Sequence, residues 1–214
     1  MSYQSYILNY NQNMLTVVIQ AGGKSSRMGQ DKALLPFLGE PLIRRVLGRV
    51  SHLADEVLVT TNQPQGYLFL AVPLVADIIP ERGALGGLYT ALSAAQHPFV
   101  AVVACDMPFV NPALLAAERD LLVDGGHDAV IPRTSNGLEP FHAVYHREAC
   151  LPPIEAALQA GKWRVDAWVS KARLRLFSPD EIQRFDPHML SFWNVNTPED
   201  LLKAEQLAVE NPVL

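Results

Sequence analysis

This 214-residue chain is short of charge, of cysteine and of long apolar runs, and each shortage removes a class of protein. Charged residues make up 18%, and the formal balance is −5. No net positive field therefore draws the chain to nucleic acid or to an anionic membrane, although a local basic pocket is still open to it. The two cysteines, Cys105 and Cys150, form neither a CxxC pair nor a disulfide framework. That is the usage of a reducing compartment, so a cytoplasmic protein is expected. No apolar run reaches the roughly 18 residues that a membrane span needs. Residues 1–14 have no basic residue ahead of their short apolar stretch, so they read as a flexible lead-in rather than a secretory signal.

What is abundant is apolar: 49% of residues, enough for the core of one α/β domain. No Pro-, Gly- or Ser-rich linker and no internal repeat divides the chain. A single domain over residues 15–209 is expected, with 210–214 as a tail. Leu15–Ile19 and Phe99–Ala104 are continuous β-branched or apolar runs, the pattern of strands buried on both faces. Further strands are read at Glu56–Thr60, residues 72–77, Asp128–Ile131, Phe141–Tyr145 and residues 173–177. Between them fall helical stretches: one after Pro41, one over residues 88–96, one opened by Asn111 and Pro112, and one at Glu148–Ala160. Thr197, Pro198 and Asp200 carry the signature of a last helix start. The alternation predicts a Rossmann-like three-layer sandwich around a mostly parallel sheet.

Three glycines, Gly22, Gly23 and Gly29, follow the first strand, with Lys24, Arg27 and Lys32 close behind. Glycines that let backbone N–H groups approach an anion, joined by basic side chains, suit a polyphosphate. Two familiar cradles are excluded. A P-loop ending at Gly23-Lys24-Ser25 needs glycine where Val18 stands, and adjacent Gly22 and Gly23 break the dinucleotide pattern GxGxxG. Asp106 directly follows the strongest strand, so its carboxylate is expected at the carboxyl edge of the sheet, placed to bind Mg2+ shared with phosphate oxygens. Asp77 follows a shorter strand. Gly83, Gly86 and Gly87 permit a second close backbone approach, and Asn194 or Asn196 can offer an amide at the far end of the site. Their spacing does not choose between them. His142 and His146 lack the glutamate of HExxH, Ser25 and Ser26 have no triad partners, and Cys105 is read as packed.

Together these segments resemble the nucleotidyltransferases that condense sugars and cofactors with nucleoside triphosphates, most closely the molybdenum cofactor guanylyltransferase branch. The resemblance rests on AGGKSSRMGQDKALLPFLGEPLI at 21–43, VTTNQP at 59–64, the Asp77 region, GALGGL at 83–88, CDMPFV at 105–110 and WNVNTPEDL at 193–201. It implies that Gln20, Ala21, Gly22 and Gly23 approach a guanine nucleotide. Lys32 and Arg27 would hold its phosphates, and Asn62 and Asp77 would line the nucleoside side, near Gly86 and Gly87. Asp106 would be the Mg2+ ligand. His142, Arg164, Asn194 and Asn196 would lie toward the acceptor, with the basic segment 162–175 expected as a surface helix facing it.

The implied reaction transfers GMP from GTP to the terminal phosphate of molybdopterin, releasing pyrophosphate. The implied partners are these two small molecules, without nucleic acid or membrane, and with room for transient docking to cofactor-biosynthesis or acceptor proteins. Gln20 stands where the family usually has leucine, so its amide either contacts the base or is satisfied internally. GALGG replaces the commoner GPLAG. Related enzymes use CTP or sugar phosphates, so a cytidylyl- or sugar-phosphate nucleotidyltransferase is the alternative, followed by a nucleotide-binding module without chemistry.

Overall fold

A computed structural model describes residues 13–22 and 31–211. Leu15–Gln20 forms strand β1, and five of its six residues are wholly buried. The other strands of the main sheet are β2 (Glu56–Thr60), β3 (Leu74–Val75), β4 (Phe99–Ala104), β5 (Ala129–Thr134), β6 (His142–His146) and β7 (Leu174–Phe177). Their order across the sheet is β7-β5-β6-β4-β1-β2-β3, and Gly137–Leu138 folds back on β5 as the eighth strand. β1 lies parallel to β2 and β4, β2 to β3, and β5 to β7. Only β6 reverses direction among the long strands, running antiparallel to both β4 and β5. The result is a single-domain Rossmann-like fold with a mostly parallel sheet.

Helices α1 (Leu42–Val50), α2 (Gly83–Ala94), α3 (Pro112–Gly125), α4 (Arg147–Gln159) and α5 (Pro198–Glu210) cover it. Alternation along β1 sorts its side chains between the layers. Leu15, Val17 and Ile19 pack with Ile43 and Val46 of α1 and Leu114 of α3. Val18 faces Leu85 and Leu88 of α2, in the cluster that also holds Ile154 of α4. A third apolar group, containing Phe37, Phe109, Val195 and Ala204, seats α5 against the turn after β4. No helix among the described residues is long and apolar enough to cross a membrane.

The helix starts follow local chemistry. Asn111 Oδ1 accepts from the N–H groups of Ala113 and Leu114, with Pro112 next to it in the first turn. Thr197 and Asp200 form a reciprocal capping box. Three expectations need correction. Helix α2 begins at Gly83, five residues before Leu88, so its glycines are helical rather than part of a loop. The expected strand over residues 72–77 shrinks to Leu74–Val75. The segment 162–175 is not a surface helix. It holds one 3-10 turn, Val169–Lys171, because Trp168 is drawn into the core, 6.1 Å from the Tyr145 ring, before the chain joins β7.

Candidate active site

β1 is flanked by β2 on one side and β4 on the other, so a crevice opens at the carboxyl ends of β1 and β4. This switch point is where open α/β sheets bind ligands. The backbone ladder runs slightly past both strands: Cys105 N donates to Gln20 O (3.0 Å), and Ala21 N donates to Thr60 O (2.9 Å). β4 thus delivers Asp106 to the edge. The turn that follows is clamped from below. Arg45 Nε donates to Pro108 O (2.8 Å), with its guanidinium over the rings of Phe37 (4.9 Å) and Phe109 (5.7 Å), and Arg49 Nε donates to Val110 O (2.7 Å).

Lys32 arrives from the other strand. It opens a 3-10 turn, Lys32–Leu34, capped by Asp31, whose Oδ1 accepts from Ala33 N while Oδ2 accepts the hydroxyl of buried Tyr67 (2.5 Å). The phenol is pushed up by burial and by Asp31, so it stays protonated as the donor. Lys32 Nζ lies 3.5 Å from Asp106 Oδ2 and donates to Asn196 Oδ1 at 2.7 Å. Asp106 is pulled two ways: burial raises its carboxyl, while the Lys32 charge lowers it, with a net rise.

The third member of this group comes from the end of the chain. Val195 N donates to Asp106 O (2.9 Å), docking the extended segment before α5 onto the turn. That register brings the Asn196 side chain to Lys32. Asn194 instead donates its amide to Phe192 O (3.0 Å), so it is Asn196 that meets Lys32.

On the β2 side, Asn62 and Asp77 clasp each other: Asn62 Nδ2 donates to Asp77 Oδ2 (2.7 Å), and Asp77 N donates to Asn62 Oδ1 (3.0 Å). Gln20 points toward α2, as the alternation along β1 requires. A β-carbon on Gly87 would sit 3.3 Å from both Oε1 and Nε2 of its carboxamide. Gly22 is exposed, and a β-carbon there would meet nothing within 4 Å among the described residues. Gly86 has a separate reason to be glycine: its β-carbon would fall 2.6 Å from Arg82 Cβ and 3.3 Å from Ile79 O. The glycine is fixed there by how the chain turns into α2.

With this geometry in place, comparison with known proteins is direct. Residues 17–174 match the family described as MobA-like NTP transferase domain. The chain belongs to that family. A molybdenum cofactor guanylyltransferase of Desulfosudis oleivorans is 37% identical over 193 residues, covering 89% of this chain and 94% of its own length. The crystal structure of a molybdopterin-guanine dinucleotide biosynthesis protein A from Archaeoglobus fulgidus superposes with a TM-score of 0.80 at 26% identity, covering 91% and 99% of the two chains. A nucleotidyl transferase from Methanothermobacter shares the fold, with a TM-score of 0.68 at 19% identity over 92% of this chain and 99% of its own. The nucleotidyltransferase domain is therefore shown, and the matched region contains Lys32, Asn62, Asp77 and Asp106.

Other residues singled out from the sequence stand apart from this crevice. Gly23 and Arg27 lie outside the described residues, as do Lys24, Ser25 and Ser26. His142 does not line any substrate surface, which corrects the expectation for it: the side chain is 0% exposed, 3.3 Å from Glu118 Oε1, and its Nε2 accepts from Asn111 N. It serves the packing of β6 on α3. Arg164 is well exposed and pairs with Asp166 (2.8 Å) at the wall of a separate cavity of about 380 Å3. That cavity lies by the hairpin after β5, and its walls include Asn136, Leu138, Trp168 and Val169. His146 caps α4 and does not pair with His142. Burial and Asp106 push the Cys105 thiol well above its usual value, which leaves it a poor nucleophile.

Sequence reasoning missed the residues that hold the site in place. Asp31 stands out in the sequence only as part of the glycine-rich motif, although an acid before a short turn is a capping signal. Arg45 and Arg49 sit four apart on an amphipathic helix, a pattern that could have marked them as reaching toward a neighbouring backbone. Tyr67 gives no signal, because what matters in it is burial.

Proposed function

We propose that this protein transfers GMP from GTP to the terminal phosphate of molybdopterin, releasing pyrophosphate and forming the guanine dinucleotide cofactor. The observation that carries the reading is the convergence of Lys32, Asp106 and Asn196 at the β1–β4 switch point. The strong likeness to a guanylyltransferase of this cofactor supports the choice of nucleotide and acceptor.

Both substrates are polyanions, so the main barrier to their reaction is mutual repulsion. Lys32, with Arg27, would hold the β- and γ-phosphates and stabilise the leaving pyrophosphate. Ala21 and Gly22, with Gly23, would bring backbone N–H groups to the nucleotide. The Asn62–Asp77 clasp and the Gln20–Gly87 contact would face the nucleoside. No strong general base is needed, because a phosphate monoester is already largely ionised near neutral pH.

The donor set also suits Mg2+. Among the described residues no three His, Cys, Asp or Glu side chains gather into a cage of their own. A single carboxylate with hard oxygen neighbours is nevertheless how Mg2+ is commonly held when substrate phosphates and waters complete its shell. Asp106, with the Asn196 amide nearby, would hold the ion, which when bound supplies neutralising charge between the two phosphates. Asn196 has a second task, keeping the Lys32 ammonium at the carboxylate's edge. The cavity beside Arg164 would take the acceptor, whose ring system suits walls that combine Trp168 and Leu138 with Asn136 and Asp166.

The test is pyrophosphate release from GTP, CTP, ATP and UTP, each with magnesium and fresh molybdopterin. GTP-specific, pterin-dependent release is the expected result, and Asp106→Ala should abolish it while the protein stays folded. Release with CTP instead would move the activity to the cytidylyl branch. Silence with every triphosphate would overturn the reading.

A further inference from the structure

We propose that Tyr67 is a positioning residue for Lys32: its buried hydroxyl holds the Asp31 carboxylate that caps the lysine's turn, and so fixes where the ammonium stands in the crevice. The inference rests on the nucleotide site proposed above, in which Lys32 meets phosphate. It places the control of that lysine in the protein core, on a side chain outside the crevice.

The turn Lys32–Leu34 is only three residues long. A helical piece so short has almost no cooperativity of its own, so its direction is set at its cap. Asp31 is that cap, and both of its carboxylate oxygens are engaged. Oδ1 accepts from Ala33 N at 3.1 Å, and Oδ2 accepts from the Tyr67 hydroxyl at 2.5 Å. The second bond joins a neutral donor to a charged acceptor at the short end of such contacts, the stronger class of hydrogen bond. Without it the carboxylate is free to leave the cap and to compete, as a nearby anion, for the ammonium next to it in sequence. With it, that ammonium goes to Asn196 and Asp106 instead.

The phenol is itself fixed. Tyr67 lies in the 3-10 helix Pro64–Leu70, is wholly buried, and belongs to the cluster that contains Ala33, Ile43, Val46 and Val59. The Thr61 hydroxyl also bonds to it, and Thr61 Oγ1 accepts from Gln63 N at 3.2 Å. Hydroxyl groups therefore link the end of β2 to the turn of Lys32. The residue after Thr61 is the Asn62 that clasps Asp77, so the two sides of the crevice are joined through the core. A phenylalanine at 67 would fill the same space and leave no buried polar atom to satisfy, so packing alone does not ask for the hydroxyl.

A double-mutant cycle tests this by equilibrium binding of inorganic tripolyphosphate and of GTP, each with magnesium. Tyr67→Phe should weaken both ligands about five- to tenfold, and Lys32→Ala by about tenfold or more. In the Lys32→Ala background, the Tyr67→Phe step should cost less than about twofold, because the cation that it positions is gone. A tyrosine that only supported the fold would lower Tm and weaken the ligands by the same factor with or without Lys32. Parental affinity in Tyr67→Phe, or equal losses in the two backgrounds, overturns the proposal. If the parent binds neither ligand, or Lys32→Ala binds both as the parent does, the phosphate site fails first and this inference falls with it.

Discussion

Lys32 Nζ sits 2.7 Å from Asn196 Oδ1, joining a turn near the start of the chain to a segment 164 residues later. The same ammonium lies 3.5 Å from Asp106. One cation is therefore held by a neutral acceptor and shared with a carboxylate, and it is kept at the crevice rather than neutralised in a tight pair.

Removing that cation should have two effects. Lys32→Ala should raise KM for GTP by about tenfold or more, since a phosphate contact is lost. It should also let the Asp106 carboxyl rise further, because Lys32 is what holds it down. If turnover needs Asp106 ionised, the rate in Lys32→Ala reaches its plateau at a higher pH than in the parent. Rate profiles from pH 5 to 9 measure this, and coincident acid limbs would contradict it.

The two asparagines should separate cleanly. Asn196→Ala is expected to lower kcat by about 10- to 100-fold by releasing Lys32 from its acceptor. Asn194→Ala removes only a local donor to Phe192 O and should stay within a fewfold of the parent. Steady-state pyrophosphate release on both proteins distinguishes them, and the reverse order would refute the assignment.

Arg45 supports the turn that carries Asp106 without touching its carboxylate. Arg45→Ala loses a hydrogen bond to Pro108 O and the stacking on Phe37 and Phe109. A destabilisation of about 1–3 kcal/mol is expected from denaturant unfolding. Because the loosened turn carries Asp106, kcat should fall while GTP affinity changes little. A fall in GTP affinity with kcat intact would mean that the turn does not govern Asp106.

Glu118 gives the fold a pH dependence of its own. Burial pushes its carboxyl up to about 7, with His142 pulling in the opposite direction. Between about pH 4.5 and 7 the folded form keeps a proton that the unfolded chain has released. Stability is therefore greatest at the acid end of this window and falls as pH rises through 7, by an amount on the order of 3 kcal/mol. Glu118→Gln cannot ionise, so its Tm should change less between pH 5 and 8 and exceed the parent's at pH 8. Parallel Tm curves would show that the carboxyl does not titrate in this range.

The motifs that carry chemistry were visible along the chain because each is local. A buried strand followed by Asp106, a glycine next to a strand end, and Thr197-Pro198 opening a helix all depend on neighbours a few residues away. The same locality explains the errors. Residues 83–87 read as loop because glycine is a weak helix former, but packing against Gln20 and the Arg82 turn made them helical. His142 read as a site residue because its depth in the core depends on α3, which the sequence cannot place beside it.

Alternating apolar and polar stretches alone determined the layers, the mostly parallel sheet and the edge at which polar residues collect. Hydrophobic burial is a property of periodicity, and periodicity is written in the sequence. Tertiary structure alone decided that Asn196 rather than Asn194 meets Lys32, that Arg45 holds the turn after Asp106, and that the Gln20 carboxamide packs against Gly87. Those outcomes turn on distances of a few ångströms between segments far apart in the chain, set by the docking of Val195 on Asp106 and of α2 on β1.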